Sequence, residues 1–221
     1  MSTNIDYSKN DAEFNELLTQ YNQVEYLYKA VIEAVRARLE TIGSEFNMRN
    51  RHNPIHHIET RIKSPQSIRG KLAKAGLPIT MDSAKKNLRD IAGVRVVCFY
   101  TNDIFTVANL LKNQDDIELI EEKNYISRPK ENGYRSLHLV VDVPIYLSSG
   151  KLYIPVEVQI RTIAMDFWAS LEHSLRYKSE NERPFFISDE LKRCADIIAE
   201  TDERMENIFK SINLLDDVQD Q

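Results

Sequence analysis

Residues 153–162, Tyr-Ile-Pro-Val-Glu-Val-Gln-Ile-Arg-Thr, constrain the fold more than any other stretch of the chain. Ile154, Val156, Val158 and Ile160 alternate with Pro155, Glu157, Gln159 and Arg161. That period of two predicts a β-strand with one apolar and one polar face. The polar face carries a carboxylate, an amide and a guanidinium about 6–7 Å apart by strand rise. Such a row can hold a metal ion and a polar substrate together. It is also what an antiparallel strand with one wet face looks like.

A strand of this kind needs a core behind it, and 221 residues suffice for one core with a helical appendage. The net charge of −5 argues against non-specific nucleic-acid binding by the whole surface. Any anionic ligand must then be drawn by a local basic cluster. Cys98 and Cys194 read as buried free thiols of a reducing compartment. No apolar run reaches the ~20 residues of a membrane span. The N-terminus lacks the basic and apolar regions of a signal peptide. A cytoplasmic protein that needs no membrane is expected.

Long helices flank the middle of the chain. Between residues 11 and 42, Phe14, Leu17, Tyr21, Val24, Tyr28, Val31, Val35 and Ile42 recur at steps of three, four and seven, with Arg38 interrupting the row. This predicts a helix whose stripe must be covered by the core, another helix or a second subunit. Residues 188–214 predict a second long helix with Leu191, Cys194, Ile198, Met205, Ile208 and Ile212 inward, followed by an acidic, disordered tail over 216–221. The implied organisation is an N-terminal helix at 1–48, a core at 49–180, and a C-terminal helix with its tail at 181–221, all in one compact domain. Two such stripes exceed what a core of this size can cover, so a homo-oligomer, a tetramer, is expected.

Four stretches of the core carry chemistry. Residues 49–57 read as a polar loop around Pro54, and its histidines suggest no zinc site. Beyond it, residues 61–74 hold five cations and no acid. Ser64 can cap a helix with Pro65 at its first position, which puts Ser67, Lys71 and Lys74 on one face. That face is a seat for a polyphosphate, a solvated basic surface, or an RNA contact. Asp90 precedes Val94–Tyr100, a run of β-formers containing Arg95. It can serve as a Mg2+ ligand or as a cap. Gly93 suggests a bulge or a close backbone approach. Asn102 or Asp103 can cap a helix running to about Asn113, and 117–122 reads as an edge strand. Tyr134–Val143 predicts a strand with Leu137, Leu139, Val141 and Val143 inward and Tyr134, Ser136 and His138 on the other face. Tyr134 is a candidate stacking platform for a base. Ser148-Ser-Gly150 turns this strand into the 153–162 strand as a hairpin. Thr162 then caps a helix over 163–177 with Ala164, Trp168, Leu171 and Leu175 as its apolar stripe.

In this order, the Arg61/Lys63/Ser67/Lys71 block, Asp90-Ile-Ala-Gly-Val-Arg95, Gly133-Tyr-Arg-Ser-Leu-His138 and Glu157-Val-Gln-Ile-Arg-Thr162 closely resemble the synthetase domain of the RelA/SpoT family. The resemblance spans about residues 50–180. The short length and flanking helices look like a small alarmone synthetase without a hydrolase domain. It implies an α+β, nucleotidyltransferase-like mixed sheet flanked by helices. It implies a pyrophosphokinase that moves the β,γ-pyrophosphate of ATP to the 3′-hydroxyl of GTP or GDP. By this match Lys63, Ser67, Lys71 and Lys74 hold ATP phosphates, and Arg61 and Arg95 sandwich the adenine. Asp90 and Glu157 bind Mg2+, with Glu157 also placed to take the proton of the attacking hydroxyl. Tyr134 stacks on guanine, and Lys130, His138 and Gln159 line the acceptor's phosphates and ribose. Asp166 falls where some relatives have an asparagine that contacts guanine. His57-Ile-Glu-Thr60 lacks the residues with which tetrameric relatives bind product, so product activation is not implied. Two rivals are a transferase with an adenine-nucleotide or tRNA-end acceptor, and a non-catalytic regulator that binds RNA.

Overall fold

The computed structural model describes residues 7–50, 52–178 and 185–219. Five strands form one mixed sheet: β1 (Ile55–Ile62), β2 (Ala92–Cys98), β3 (Glu118–Asn124), β4 (Leu137–Leu147) and β5 (Gly150–Thr162). Their order is β1-β2-β5-β4-β3. β2 and β5 run parallel, and the other pairs are antiparallel. The alternating 153–162 stretch is therefore the central strand. Its apolar side chains Val156, Val158 and Ile160 are fully buried, because helices cover that face alone.

The cover comes mainly from α1 (Tyr7–Asn50) and α4 (Thr101–Lys112). Leu17, Tyr21, Tyr28, Val31, Val35 and Ile42 of α1 are buried in the core. Its stripe is thus satisfied within the chain and needs no second subunit. Arg38 fastens the helix instead of interrupting it. Its guanidinium donates to both carboxylate oxygens of Asp116 at 2.6 and 2.7 Å and to Gln114 at 2.7 Å. A two-pronged, charge-assisted pair of this kind fixes position as well as adding stability.

α2 (Pro65–Lys74) begins as its sequence predicts: Ser64 accepts from the backbone N–H of Ser67, and Pro65 stands at the first turn. Two elements were not legible. The sequence places residues 49–57 in a polar loop, whereas β1 already begins at Ile55. It is an edge strand whose register slips between Ile55 and His57, and the slip breaks the alternation. α3 (Met81–Asn87), capped by Thr80, is only seven residues long. At α4 the cap is Tyr100, whose backbone N–H is accepted by Asp103 from the third helical position. Ser136 lies in the row of Tyr134, with whose side chain it interacts. It is buried and donates to the carbonyl of Ile160 at 3.1 Å.

The remaining helices, α5 (Ile163–Lys178) and α6 (Phe185–Gln219), pack against each other beside the sheet. Here the expected inward stripes hold only in part: Trp168 is buried, and Ala164, Leu191 and Ile198 are half-buried. Leu171 and Leu175 of α5, and Met205, Ile208 and Ile212 of α6, are about half exposed, as is Phe167. Among the described residues the buried apolar side chains of these helices are Met165, Trp168 and Ala195. A helical period reveals an apolar stripe but not what covers it. Cys194 is exposed, while Cys98 is buried and its thiol is pushed up, mainly by burial. α6 continues to Gln219 through most of the expected tail, and residues 220 and 221 lie outside the described residues. No helix among the described residues is long and apolar enough to cross a membrane.

Candidate active site

The open face of the sheet collects polar side chains by strand register. Gly93 of β2 lies beside Glu157 of β5, and Arg95 lies beside Gln159. Across the next pair, Arg61 of β1 lies opposite Gly93, and Glu59 opposite Arg95. On the other side His138 of β4 lies opposite Gln159. Gly93 matters through close approach, as the sequence suggested, and no bulge is present. A Cβ there would sit 3.3 Å from Cγ of Arg61. A side chain at position 93 would crowd Arg61 where it lies across the strand. Arg61, Gly93, Arg95, Glu157 and Gln159 line a recess with about 310 Å³ of space.

A closed ring of side chains orders this face. Gln159 Nε2 donates to Glu157 Oε2 at 2.9 Å, and Gln159 Oε1 accepts from Arg161 at 2.9 Å. Arg161 also donates to the hydroxyl of Tyr134 at 3.1 Å. That hydroxyl meets Nε2 of His138 at 2.7 Å, and Nδ1 of His138 lies 3.6 Å from Glu157 Oε1. With the ring proton on Nδ1, Nε2 accepts from Tyr134 and the circuit closes without a clash of donors. Arg161 is 3% exposed, and burial pushes its guanidinium below the usual value. Every contact it makes in the ring helps to hold that buried charge.

Asp90 stands at the mouth of β2. Lys63 Nζ approaches its Oδ2 at 2.9 Å, and Lys71 donates to the same oxygen. Burial pushes the Asp90 carboxyl up, but the hydrogen bonds from Lys71 and Lys63 outweigh it and hold the group below its ordinary value. Glu157 behaves alike. Burial raises it, and the interactions with His138 and Gln159 bring it below the ordinary glutamate value, while the charge of Asp90 opposes them. The two carboxylates thus bear on each other and are both ionised at neutral pH. Oδ1 of Asp90 is buried with no hydrogen-bond partner. An orphaned carboxylate oxygen whose charge is felt by a second carboxylate fits a divalent cation. Among the described residues no three His, Cys, Asp or Glu side chains converge as a metal site. A Mg2+ ion here would take its further oxygens from substrate and water, as this ion commonly does.

The other expected residues fall around this centre. Lys130 places Nζ over the rings of Tyr134 at 4.8 Å and Tyr125 at 4.6 Å. Tyr125 also packs edge-on to His138, a partnership across β3 and β4 that the sequence did not reveal. Asp166 sits between two guanidinium groups, 3.2 Å from Arg161 and 3.4 Å from Arg95. Ser67 is exposed in the first turn of α2, where its hydroxyl lies 3.0 Å from that of Ser64. Lys74 is exposed in the last turn of α2, three residues beyond Lys71.

An α+β protein whose open sheet face sets two electrostatically coupled carboxylates among lysines and arginines belongs to the class that receives phosphate-bearing ligands. Residues 60–182 match the family model described as the region found in RelA/SpoT proteins, and the chain belongs to that family. GTP pyrophosphokinase YwaC of Bacillus subtilis (strain 168) is 44% identical over 187 residues, covering 85% of this chain and 89% of that protein. The crystal structure of small alarmone synthetase 2 from Bacillus subtilis matches with a TM-score of 0.79 at 42% identity, over 87% of this chain and 99% of that one. Small alarmone synthetase 1 from the same organism, bound to its product pppGpp, matches with a TM-score of 0.78 at 33% identity, over 87% and 98%.

Proposed function

We propose that this protein is a GTP pyrophosphokinase that moves the β,γ-pyrophosphate of ATP to the ribose 3′-hydroxyl of GTP or GDP. The products are AMP and pppGpp or ppGpp, the alarmones of the stringent response. The observation that carries the reading is the ring that joins Glu157 to Tyr134. It ties a carboxylate for the reacting hydroxyl to an aromatic platform for the acceptor base. Relatives named GTP pyrophosphokinase support it.

In this reading the 3′-oxygen attacks the β-phosphorus, the bond from that phosphorus to the bridging oxygen of AMP breaks, and the hydroxyl proton passes to Glu157. Lys63, Lys71, Ser67 and Lys74 hold the phosphates of ATP, while Arg61 and Arg95 clasp its adenine. Asp90 and Glu157 hold Mg2+, which when bound offsets charge on the phosphate oxygens. Lys130, His138 and Gln159 orient the acceptor. Catalysis is then mostly positioning and electrostatics, as phosphoryl chemistry requires. The reaction takes place in the cytoplasm, where both nucleotides are at hand.

Supplying ATP with GDP, GTP, an adenine nucleotide or tRNA in turn tests the acceptor. Guanosine products alone support the reading, and transfer to another acceptor contradicts it. Within it, Tyr134→Ala raises KM for GTP or GDP by about tenfold, as expected for losing base stacking, and leaves KM for ATP unchanged. An equal rise for ATP would show a structural role. Tyr134→Phe keeps the ring but removes a partner of buried Arg161, so its main effect is about 1 kcal/mol of lost stability.

The exposed apolar side chains of α5 and α6 favour a homo-oligomer, a tetramer. Light scattering at micromolar protein should return a multiple of the 25.7 kDa chain mass. The monomer mass would contradict assembly.

A further inference from the structure

α6 packs on α5 and stacks Phe209 on Tyr100 and His52, and it adds separate polar contacts to the body. Among its described side chains only Ala195 and Glu206 are buried. Asp196 accepts from Arg135 at 2.9 Å, and Asp202 accepts from the Thr162 hydroxyl at 2.6 Å. Further along, Glu206 accepts from the backbone N–H of Asn102 at 3.2 Å. Between the helix and the body lies an open cleft of about 370 Å³. Across this cleft the polar contacts help to set where the helix sits.

Their placement follows the ring of the active site. Arg135 comes directly after Tyr134, and Thr162 directly after Arg161. Gly133, directly before Tyr134, lies against the helix itself: a Cβ there would be 2.6 Å from Cβ of Ala195 and 3.3 Å from Cα of Lys192. Its φ of +88° is one that other residues rarely adopt. Residues 133–135 thus touch α6, carry the ring tyrosine, and ion-pair with α6 in succession. The guanidinium of Arg135 is mostly buried, and among the described residues its other hydrogen bond is a long 3.5 Å approach to the carbonyl of Ile126. Without Asp196 that cation keeps too little to hold it, and the backbone that carries Tyr134 is free to shift.

We propose that α6 braces the acceptor loop, with Asp196 and Asp202 as positioning residues that act on Tyr134 through Arg135 and through Thr162 and Arg161. The inference rests on Tyr134 being the acceptor platform. It assigns the C-terminal helix a part in acceptor binding, although none of its residues joins the ring.

Steady-state kinetics on full-length variants test it, with Tyr134→Ala as the reference. Asp196→Ala should raise KM for GTP or GDP about fivefold, the upper range for losing an ion pair, with KM for ATP unchanged. Asp196→Glu should restore most of the loss. Asp196→Ala combined with Arg135→Ala should be no worse than Arg135→Ala alone, since both act along one path. A lowered Tm with both KM values unmoved would overturn the brace, as would equal losses for both substrates. If Tyr134→Ala impairs acceptor binding and Asp196→Ala does not, the brace fails while the acceptor assignment stands. If Tyr134→Ala acts on ATP instead, both fall.

Discussion

Glu157→Gln is expected to lower kcat for pyrophosphate transfer by about 10²-fold or more, the usual scale for losing a base at the reacting hydroxyl. The replacement is nearly isosteric, but it is not silent in the ring. Glu157 accepts from Gln159 and faces Nδ1 of His138. An amide can accept on one side only, so one contact is lost at a cost of about 1 kcal/mol. In a chain of this size that lowers Tm by roughly 2–4 °C, so the folded variant can be assayed. The depressed titration of Glu157 adds a pH signature. Its charge persists until the pH falls below the ordinary glutamate range. The acid limb of kcat/KM should lie below that range, and the stability that the ionised group contributes is lost as the pH falls through its lowered value. A carboxylate held so low is a weak base, and its placement on a rigid central strand matters more than its basicity. Wild-type turnover in folded Glu157→Gln would remove this residue from the reaction.

Asp90→Asn should also lower turnover by about 10²-fold, on the scale of losing one fixed electrostatic partner of a transition state. The mechanism differs. Asp90 is the one carboxylate against which both Lys63 and Lys71 rest. Neutralising it leaves two ammonium groups uncompensated beside Arg61 and Arg95. ATP binding without metal, followed by calorimetry, should hold or tighten, while the dependence of binding on Mg2+ should weaken. Turnover and metal dependence both like the wild type would rule out Asp90 as a metal-holding residue.

The chain shows how far periodicity carries. The alternation of β5 named both its core face and its polar face, and the Ser64–Pro65 pair marked the start of α2. β1 stayed hidden because the slip at His57 puts Ile55, Ile58 and Ile62 at steps of three and four. The ring could not be read either, since Arg161, Tyr134 and His138 meet only when β4 pairs with β5 in one register. Leu171, Leu175, Met205, Ile208 and Ile212 form helical stripes in the sequence, yet a stripe does not say whether the core of the chain covers it. Asp196 and Asp202 read as ordinary solvated acids of a long helix until the fold sets them against Arg135 and Thr162.

The most direct test follows the two phosphates that move. The protein is supplied with GTP or GDP and with ATP labelled at the β-phosphate. If the account holds, the label appears at the 3′ position of the guanosine product, and unlabelled AMP is released in equal amount. Release of labelled ADP, with no label in the guanosine product, would mean transfer of a single phosphate or simple hydrolysis, and would contradict it.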